Sequence, residues 1–433
     1  MSVAVVLPGG GARGAYEVGA LSKLLPALQA RGERVSIWCG TSVGAINATV
    51  LASLAHLPAH EQAQQALGLW QGLRKQNVIA PIVGSGGARM LLRLLGHSLG
   101  LPGVGLASLL DPSPLAGSLD RWIDWALLEG NITTGHVDAV CVVATLLSTG
   151  KPVGFVATQR EVPSVKDNEL RYVKTRLGGE HVRASAAIPV LFPTVEVTAP
   201  RAARGHYTDG GTRLNSPIKP ALDLGADKVI VIGFEPFGRA AEQPAAARRP
   251  PSIGDVAANV LDGLLVDQVA QDLRRLAAIN SFFVENHSTG PIGSPRTYRI
   301  ARGLAPYRPI SYALVAPRRR GEIGRLAETT FKQRYGGLRG MRDVDFAVMA
   351  RALGTGRRSR GELLSFLLFD GQFIAALTQM GKRDALRWLR RHPQFWCRDA
   401  EHDLWIGHLD RERVKEQHAI EEFRAHRILH AGS

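Results

Sequence analysis

The chain has 433 residues, of which 45% are hydrophobic and 21% are charged, a composition that supports a large buried core and excludes a disordered chain. Its formal net charge of +15 favours an anionic partner, either nucleic acid or an anionic membrane surface, unless the charge serves solubility alone. The length predicts one large domain with an extension, or two domains.

Strand and helix patterns alternate along the first part of the chain. A buried strand at residues 3–7 precedes a helix at residues 15–29, and a second strand at residues 35–39 precedes a helix of small residues that begins at Ala45. Further strands are predicted at residues 139–146, 154–157 and 228–233. This alternation predicts an α/β fold whose central sheet is mainly parallel and has helices on both faces.

Three stretches depart from this alternation. Residues 81–114 are rich in Gly, Leu and Pro, residues 237–252 form a Pro- and Arg-rich loop, and the chain beyond about residue 334 becomes helical and basic. From residue 316 to the end there are 23 Lys and Arg against 15 Asp and Glu, a surplus of 8. We predict one α/β domain over residues 1–335 and a basic α-helical extension over residues 336–433.

Three cysteines, Cys39, Cys141 and Cys397, lie far apart, and the first two fall in strand-like apolar runs. This usage predicts buried thiols in a reducing compartment and no metal site. The N-terminus lacks the basic region of a signal peptide, and no uncharged run reaches the roughly 20 residues that cross a bilayer. We therefore expect a cytoplasmic protein with no transmembrane segment.

A glycine-rich loop, GGGARG at residues 9–14, follows the first strand. Its spacing satisfies the dinucleotide-binding pattern G-x-G-x-x-G, which also needs an acidic residue at the end of the second strand. That strand ends at Cys39 and Gly40, and the nearest acid, Glu33, precedes it. The dinucleotide interpretation is therefore disfavoured.

The turn after the second strand reads Gly40-Thr41-Ser42-Val43-Gly44, the G-x-S-x-G pattern of a nucleophile elbow. Because neighbouring parallel strands end at the same edge of a sheet, Ser42 and the glycine-rich loop should lie together. Loop amides placed there would stabilise the negative charge that develops on an ester carbonyl oxygen during attack by serine. We predict Ser42 as a nucleophile, and an oxyanion hole formed by Gly9, Gly10, Gly11, Ala12, Arg13 and Gly14.

The serine needs a base from elsewhere in the chain. Asp209-Gly210-Gly211 ends an apparent strand and enters a turn, where the aspartate is either that base or an ordinary turn residue. His181 and His206 would be the alternatives in a triad, but no local pattern supports either of them.

Four motifs follow one another along the chain: the glycine-rich loop at residues 9–14, the Ser42 turn at residues 40–44, a block at residues 184–189, and the Asp-Gly-Gly turn at residues 209–211. Together they resemble the motifs of the patatin-like phospholipases, over about residues 3 to 330. The resemblance implies a three-layer patatin-like fold, Ser42 as nucleophile, Asp209 as its base, loop amides as oxyanion donors, and no cofactor. We expect the block around Ser185 to be architectural. Pro8 stands where plant members of the family usually carry an acid.

The resemblance also implies a reaction. The protein would be a serine lipid acyl hydrolase that cleaves fatty acyl esters of phospholipids or related glycerolipids through an acyl-enzyme, as a phospholipase A or lysophospholipase does. Two alternatives remain: a carboxylesterase or thioesterase acting on soluble acyl donors, and a non-catalytic lipid-binding protein on the same fold. Retention of Ser42, Asp209 and the whole glycine-rich loop argues against the second alternative.

The expected partner is lipid at a membrane or micelle surface, and two stretches are candidates for contact with it. Residues 81–114 are either a lid over an acyl-binding cleft or a packed helical excursion. Residues 382–396, KRDALRWLRRHPQFW, are either a basic amphipathic contact that makes the protein peripheral to the membrane, or the solvated face of a packed helix. No nucleic acid partner is expected, because the basic residues follow no recognition module.

Overall fold

The computed structural model describes residues 1–80, 110–163, 170–189, 191–236, 310–335 and 357–397. The predicted loop at residues 237–252 lies outside these ranges, as does the predicted lid except for residues 110–114. The C-terminal extension is described from residue 357 to residue 397.

A central sheet organises the described part of the chain, with the strand order β5-β4-β3-β2-β1-β8-β9. Its strands are β1 Val3–Leu7, β2 Val35–Thr41, β3 Ala139–Leu146, β4 Lys151–Thr158, β5 Arg171–Lys174, β6 Val195–Val197, β7 Gly205–Asp209, β8 Lys228–Ile232 and β9 Ser311–Val315. The five strands β3, β2, β1, β8 and β9 are parallel neighbours, while β3 pairs antiparallel with both β4 and β7. The sheet is mainly parallel, as the sequence predicts.

Helices connect these strands and cover the sheet in a three-layer α/β arrangement. They are α1 Gly14–Gln29, α2 Val43–Ser53, α3 Ala59–Gly72, α4 Ser113–Trp122, α5 Trp125–Thr133, α6 Gly179–Ser185, α7 Gly211–Leu214, α8 Ile218–Asp223, α9 Glu322–Tyr335, α10 Arg357–Leu367 and α11 Gly371–Arg391. A short 3₁₀ turn, Gly11–Arg13, precedes α1. All residues of β1 and β2 are buried, which explains why they read as continuous apolar runs rather than as alternating ones.

The C-terminal helix α11 packs directly on α1. A Cβ atom on Gly381 would lie 2.1 Å from the Tyr16 carbonyl oxygen, and one on Gly19 would lie 2.3 Å from that of Thr378, so the two backbones touch. The buried Tyr16 hydroxyl donates to Asp384 on α11 at 3.1 Å. This described part of the extension therefore shares a core with the α/β part, and the division at residue 336 stays a prediction.

Two aromatic residues near the end of α11, Trp388 and Phe395, are buried, and Trp396 is half-buried. Trp388 is 4% exposed and Phe395 is 1% exposed, and the Trp388 indole N–H donates to the Phe395 carbonyl oxygen at 2.9 Å. These two side chains are packed inside the protein, which favours the packed-helix interpretation of residues 382–396 over a membrane contact.

Within the described ranges, no single helix has the length and hydropathy of a membrane span. Residues Gly361–Leu367 and Gly371–Arg391 meet that criterion only when taken together, and the chain bends by 102° between them.

Candidate active site

Ser42 occupies a strained turn between β2 and α2. Its backbone has φ 54° and ψ −124°, a conformation that residues with a Cβ atom rarely adopt. The turn is tight, because a Cβ atom on Gly40 would lie 2.2 Å from the Gly44 carbonyl oxygen and one on Gly44 would lie 2.1 Å from that of Leu7. The two elbow glycines are thus required by close backbone contacts.

Ser185 anchors this turn from the end of α6. Its hydroxyl oxygen accepts a hydrogen bond from the Ser42 backbone N–H at 2.8 Å and donates to the Val143 carbonyl oxygen on β3 at 2.5 Å. Because the hydroxyl is committed to these two backbone groups, Ser185 holds the elbow against the sheet. This is the architectural role expected for the block at residues 184–189.

Strand β3 brings Ser42 and Asp209 together although 167 positions separate them in the chain. Strand β2 pairs with β3 as far as Thr41 opposite Val143, and β7 continues the pairing with Asp209 opposite Ala144. Ser42, which follows β2, and Asp209, the last residue of β7, therefore meet at the same point of the sheet.

The Asp209 carboxyl is fully buried, and this burial raises its pKa to about 7. Its Oδ1 accepts from the Gly211 backbone N–H at 2.7 Å, and this bond and the nearby Ser42 hydroxyl both oppose the pKa rise. In the described structure the Oδ2 atom is buried with no well-aligned donor. Hydrogen bonds of catalytic groups are often loose before substrate binds. A carboxylate with a pKa near 7 is a far stronger base than one near 3.9.

The glycine-rich loop lies against the serine, since a Cβ atom on Gly9 would come within 3.0 Å of the Ser42 Cβ atom. The Gly9 N–H donates to the Asn215 side-chain oxygen at 2.9 Å, and the Arg13 N–H donates to the Gly10 carbonyl oxygen at 3.2 Å. These two amides are therefore used within the protein.

The amides of Gly10, Gly11 and Ala12 precede the first hydrogen bond of the 3₁₀ turn, so the turn itself does not use them. Gly14 is the first residue of α1, and its N–H donates back to the turn. The loop amides that the turn leaves unused can serve an anion beside Ser42. Gly210, the next motif glycine, packs so tightly that a Cβ atom there would lie 2.2 Å from the Val143 carbonyl oxygen.

Ser42 lines an apolar pocket of about 740 Å³, part of which is open to solvent. Its walls come from α2, α3 and α4, from the segment that follows α6, and from the C-terminal region. The aromatic wall residues are Trp70, Trp122, Phe192, Phe366 and Phe369, and aliphatic ones include Leu69, Ile188 and Leu367. The sequence alone does not connect Phe366, Leu367 and Phe369 with the site, because nothing in their local pattern separates a pocket wall from an ordinary helix core.

Asn215 was also missed in the sequence. It is buried, follows the Asp209-Gly210-Gly211 turn, and holds the first glycine of the loop through the Gly9 amide. Its place six residues after Asp209 in the chain is the only local signal, and that signal is weak.

The two histidines do not join the site. The buried His181 ring bonds to the Ala199 carbonyl oxygen at 2.9 Å and accepts from the Gly178 N–H at 3.1 Å, and burial lowers its pKa. His206 is exposed on β7, three residues before Asp209, and so points to the opposite face of the strand. Among the described residues, no group of three His, Cys, Asp or Glu side chains has the arrangement of a metal site.

A strained serine turn, a buried carboxyl group and a glycine-rich loop meet at the carboxyl edge of a mainly parallel sheet, in an α/β fold. The family model for the patatin-like phospholipases matches residues 5–222, and the chain belongs to that family. The family is one of lipid acyl hydrolases, which act on ester bonds.

The crystal structure of VipD from Legionella pneumophila is similar with 16% sequence identity and a TM-score of 0.29, covering 73% of this chain and 61% of that chain. This chain thus matches less than two thirds of the length of VipD. No curated protein sequence matched.

Proposed function

We propose that Ser42 and Asp209 form a catalytic dyad that hydrolyses fatty acyl esters of phospholipids or related glycerolipids, as a phospholipase A or lysophospholipase does. The main support is the meeting of the Ser42 turn with a buried Asp209 carboxyl, of pKa about 7, beside an apolar pocket that Ser42 lines. Lipid would be met at a membrane or micelle surface.

In the first step, Ser42 Oγ attacks the ester carbonyl carbon while an Asp209 carboxylate oxygen takes the hydroxyl proton. The amides of Gly10, Gly11 and Ala12 stabilise the oxyanion, where one donor contributes roughly 3 kcal/mol in a well-studied case. The tetrahedral intermediate collapses to an acyl-enzyme, and the departing alcohol takes the proton from Asp209. Water then attacks the acyl-enzyme while Asp209 takes a proton from the water. The second tetrahedral intermediate collapses to the fatty acid, and Asp209 returns the proton to Ser42 Oγ as the acyl–oxygen bond breaks.

The pocket supports a fatty acyl substrate over a soluble short-chain donor. Burial of one methylene group is worth about 0.8 kcal/mol, so each added CH₂ that fits the pocket should favour binding. A carboxylesterase or thioesterase that acts on short soluble donors would not need an apolar pocket that is lined by Ser42 together with Trp70, Phe192 and Phe366.

Labelling with a fluorophosphonate probe tests the nucleophile: the wild type should react and Ser42→Ala should not. Asp209→Asn should lower turnover by about 10⁴-fold, because members of one catalytic unit fail together. His206→Ala is the matched control and should keep wild-type activity. Labelling that persists in Ser42→Ala, or loss of activity in folded His206→Ala, would refute the dyad.

The substrate class is tested separately, by comparing micellar phospholipid with a short soluble ester and by mass spectrometry of products from a total lipid extract. We expect free fatty acid from the lipid extract with wild type and none with Ser42→Ala. Activity on the soluble ester with no product from any lipid would support the esterase alternative instead.

A further inference from the structure

We propose that Glu362, on helix α10, is a positioning residue for the oxyanion hole and acts through Arg13 of the glycine-rich loop. This inference rests on the proposed function of that loop. Helix α10 lies outside residues 5–222, the part of the chain that matches the family model.

The Arg13 side chain leaves the loop and ends in a buried site on α10. It is 1% exposed, and its Nε donates to Ser365 Oγ at 2.7 Å. Its Nη2 donates to the Glu362 carboxylate at 2.5 Å and to the Glu362 carbonyl oxygen at 3.0 Å. The guanidinium is thus held by three oxygens of one helix turn, in the planar geometry that arginine provides.

The same turn of α10 contacts the loop at two further points. The Arg13 guanidinium lies 4.1 Å from the centroid of the Phe366 ring. Gly11 has φ 57°, and a Cβ atom there would lie 2.2 Å from the Phe366 carbonyl oxygen, so the backbones of loop and helix touch. Helix α10 therefore supports the loop at the residues whose amides are offered to the oxyanion.

A second carboxyl group, that of Glu235, lies near this pair, but the carboxylate that is hydrogen-bonded to Arg13 is that of Glu362. Both Glu235 carboxylate oxygens accept from the Gly321 backbone N–H, each at 3.1 Å. Burial raises the pKa of Glu235 to about 7, the nearby Glu362 charge adds to this rise, and the Arg13 charge opposes it. Among the described contacts, the carboxylate bound to Arg13 is that of Glu362.

Loss of the Glu362 charge would leave a buried guanidinium without its anionic partner, and the Arg13 side chain would have to move. The Arg13 backbone closes the turn through its N–H bond to the Gly10 carbonyl oxygen. A shift of Arg13 therefore displaces the amides of Gly10 and Gly11, and a misplacement of about 1 Å at a reacting centre can lower a rate by about 100-fold.

Four variants test the inference: Glu362→Gln, Arg13→Gln, the double variant, and the control Glu322→Gln, whose partner is Arg383 at 2.9 Å in a more exposed interhelical pair. Each is assayed for kcat and KM on a short soluble ester, for the rate of fluorophosphonate labelling, and for thermal stability. We expect Glu362→Gln to lower kcat and the labelling rate at least tenfold, with KM within twofold of wild type. The double variant should be no slower than Arg13→Gln alone, and Glu322→Gln should match the wild type.

A folded Glu362→Gln variant with kcat within twofold of wild type would overturn the inference. A double variant whose loss of kcat equals the product of the two single-variant losses would overturn it as well. If Glu362→Gln fails to fold, Glu362→Asp replaces it, since it keeps the charge on a shorter side chain. A reduced kcat in folded Glu362→Asp supports the inference, and a wild-type kcat overturns it. Absence of both activity and labelling in the wild type would instead refute the proposed function itself.

Discussion

The buried carboxyl group of Asp209 should make the protein less stable at high pH than its asparagine variant. Burial raises its pKa from the ordinary value of 3.8 to about 7. Below pH 4 the carboxyl is protonated in both the folded and the unfolded chain, so burial of a charge costs nothing there. Between pH 4 and pH 7 only the unfolded chain ionises, so stability falls as the pH rises, and above pH 7 the loss is complete.

The size of the effect follows from the pKa difference. A shift of one pKa unit corresponds to about 1.4 kcal/mol, so a difference of about 3 units gives a penalty of roughly 4 kcal/mol at pH 8 and roughly 2 kcal/mol at pH 5. Asp209→Asn removes this penalty, while its side-chain oxygen can still accept from the Gly211 N–H. The gain in unfolding free energy from the substitution should therefore be about 2 kcal/mol larger at pH 8 than at pH 5.

Urea unfolding of wild type and Asp209→Asn at pH 5 and pH 8 measures this difference. Contributions of other buried carboxyl groups, such as Glu17, whose pKa burial also raises, are present in both proteins and cancel. Ser42→Ala is the control, because it should be equally inactive but keeps the Asp209 carboxyl and so should show no such gain. A stability difference between wild type and Asp209→Asn that is equal at the two pH values would refute the reasoning.

Three further outcomes are expected. Below pH 7, kcat/KM on a soluble ester should fall about tenfold per pH unit, because protonated Asp209 cannot take the serine proton; a profile that stays flat to pH 5 would contradict its role as base. Ser42→Gly should be about 1 kcal/mol more stable than Ser42→Ala, because only glycine accepts φ 54° without strain, and equal urea midpoints would show an unstrained elbow. Gly44→Ala should lose at least about 2 kcal/mol, because its Cβ atom would meet the Leu7 carbonyl oxygen at 2.1 Å. The control Gly68→Ala, with no atom within 4 Å, should gain about 0.5 to 1 kcal/mol, and equal unfolding midpoints for the two glycine variants would contradict the packing argument.

Much of the fold can be predicted from the sequence. The strands predicted at residues 3–7 and 139–146 coincide with β1 and β3, because a strand covered on both faces is apolar at every position. The short strands β5 and β6 were not predicted, since three or four residues carry too little pattern. Strand β9 was missed as well, although it lies beside β8 in the sheet.

The sequence by itself determined the local chemistry of the site: a strained Ser42 between two glycines, a loop that offers amides, and an Asp-Gly-Gly turn. These features are carried by short motifs of a few consecutive residues, in which glycine permits backbone conformations that other residues rarely adopt. Only the tertiary structure decided that β7 continues where β2 ends along β3, which joins Ser42 to Asp209.

The tertiary structure also decided the role of the C-terminal region. An amphipathic basic helix has the same sequence pattern whether its apolar face meets a membrane or a protein core, and only the fold shows that Trp388 is buried. The contact between Arg13 and Glu362 spans 349 positions, and no local pattern reports which distant carboxylate a buried guanidinium will find. Burial and long-range pairing are properties of the packed chain, and for that reason they could be read only from its structure.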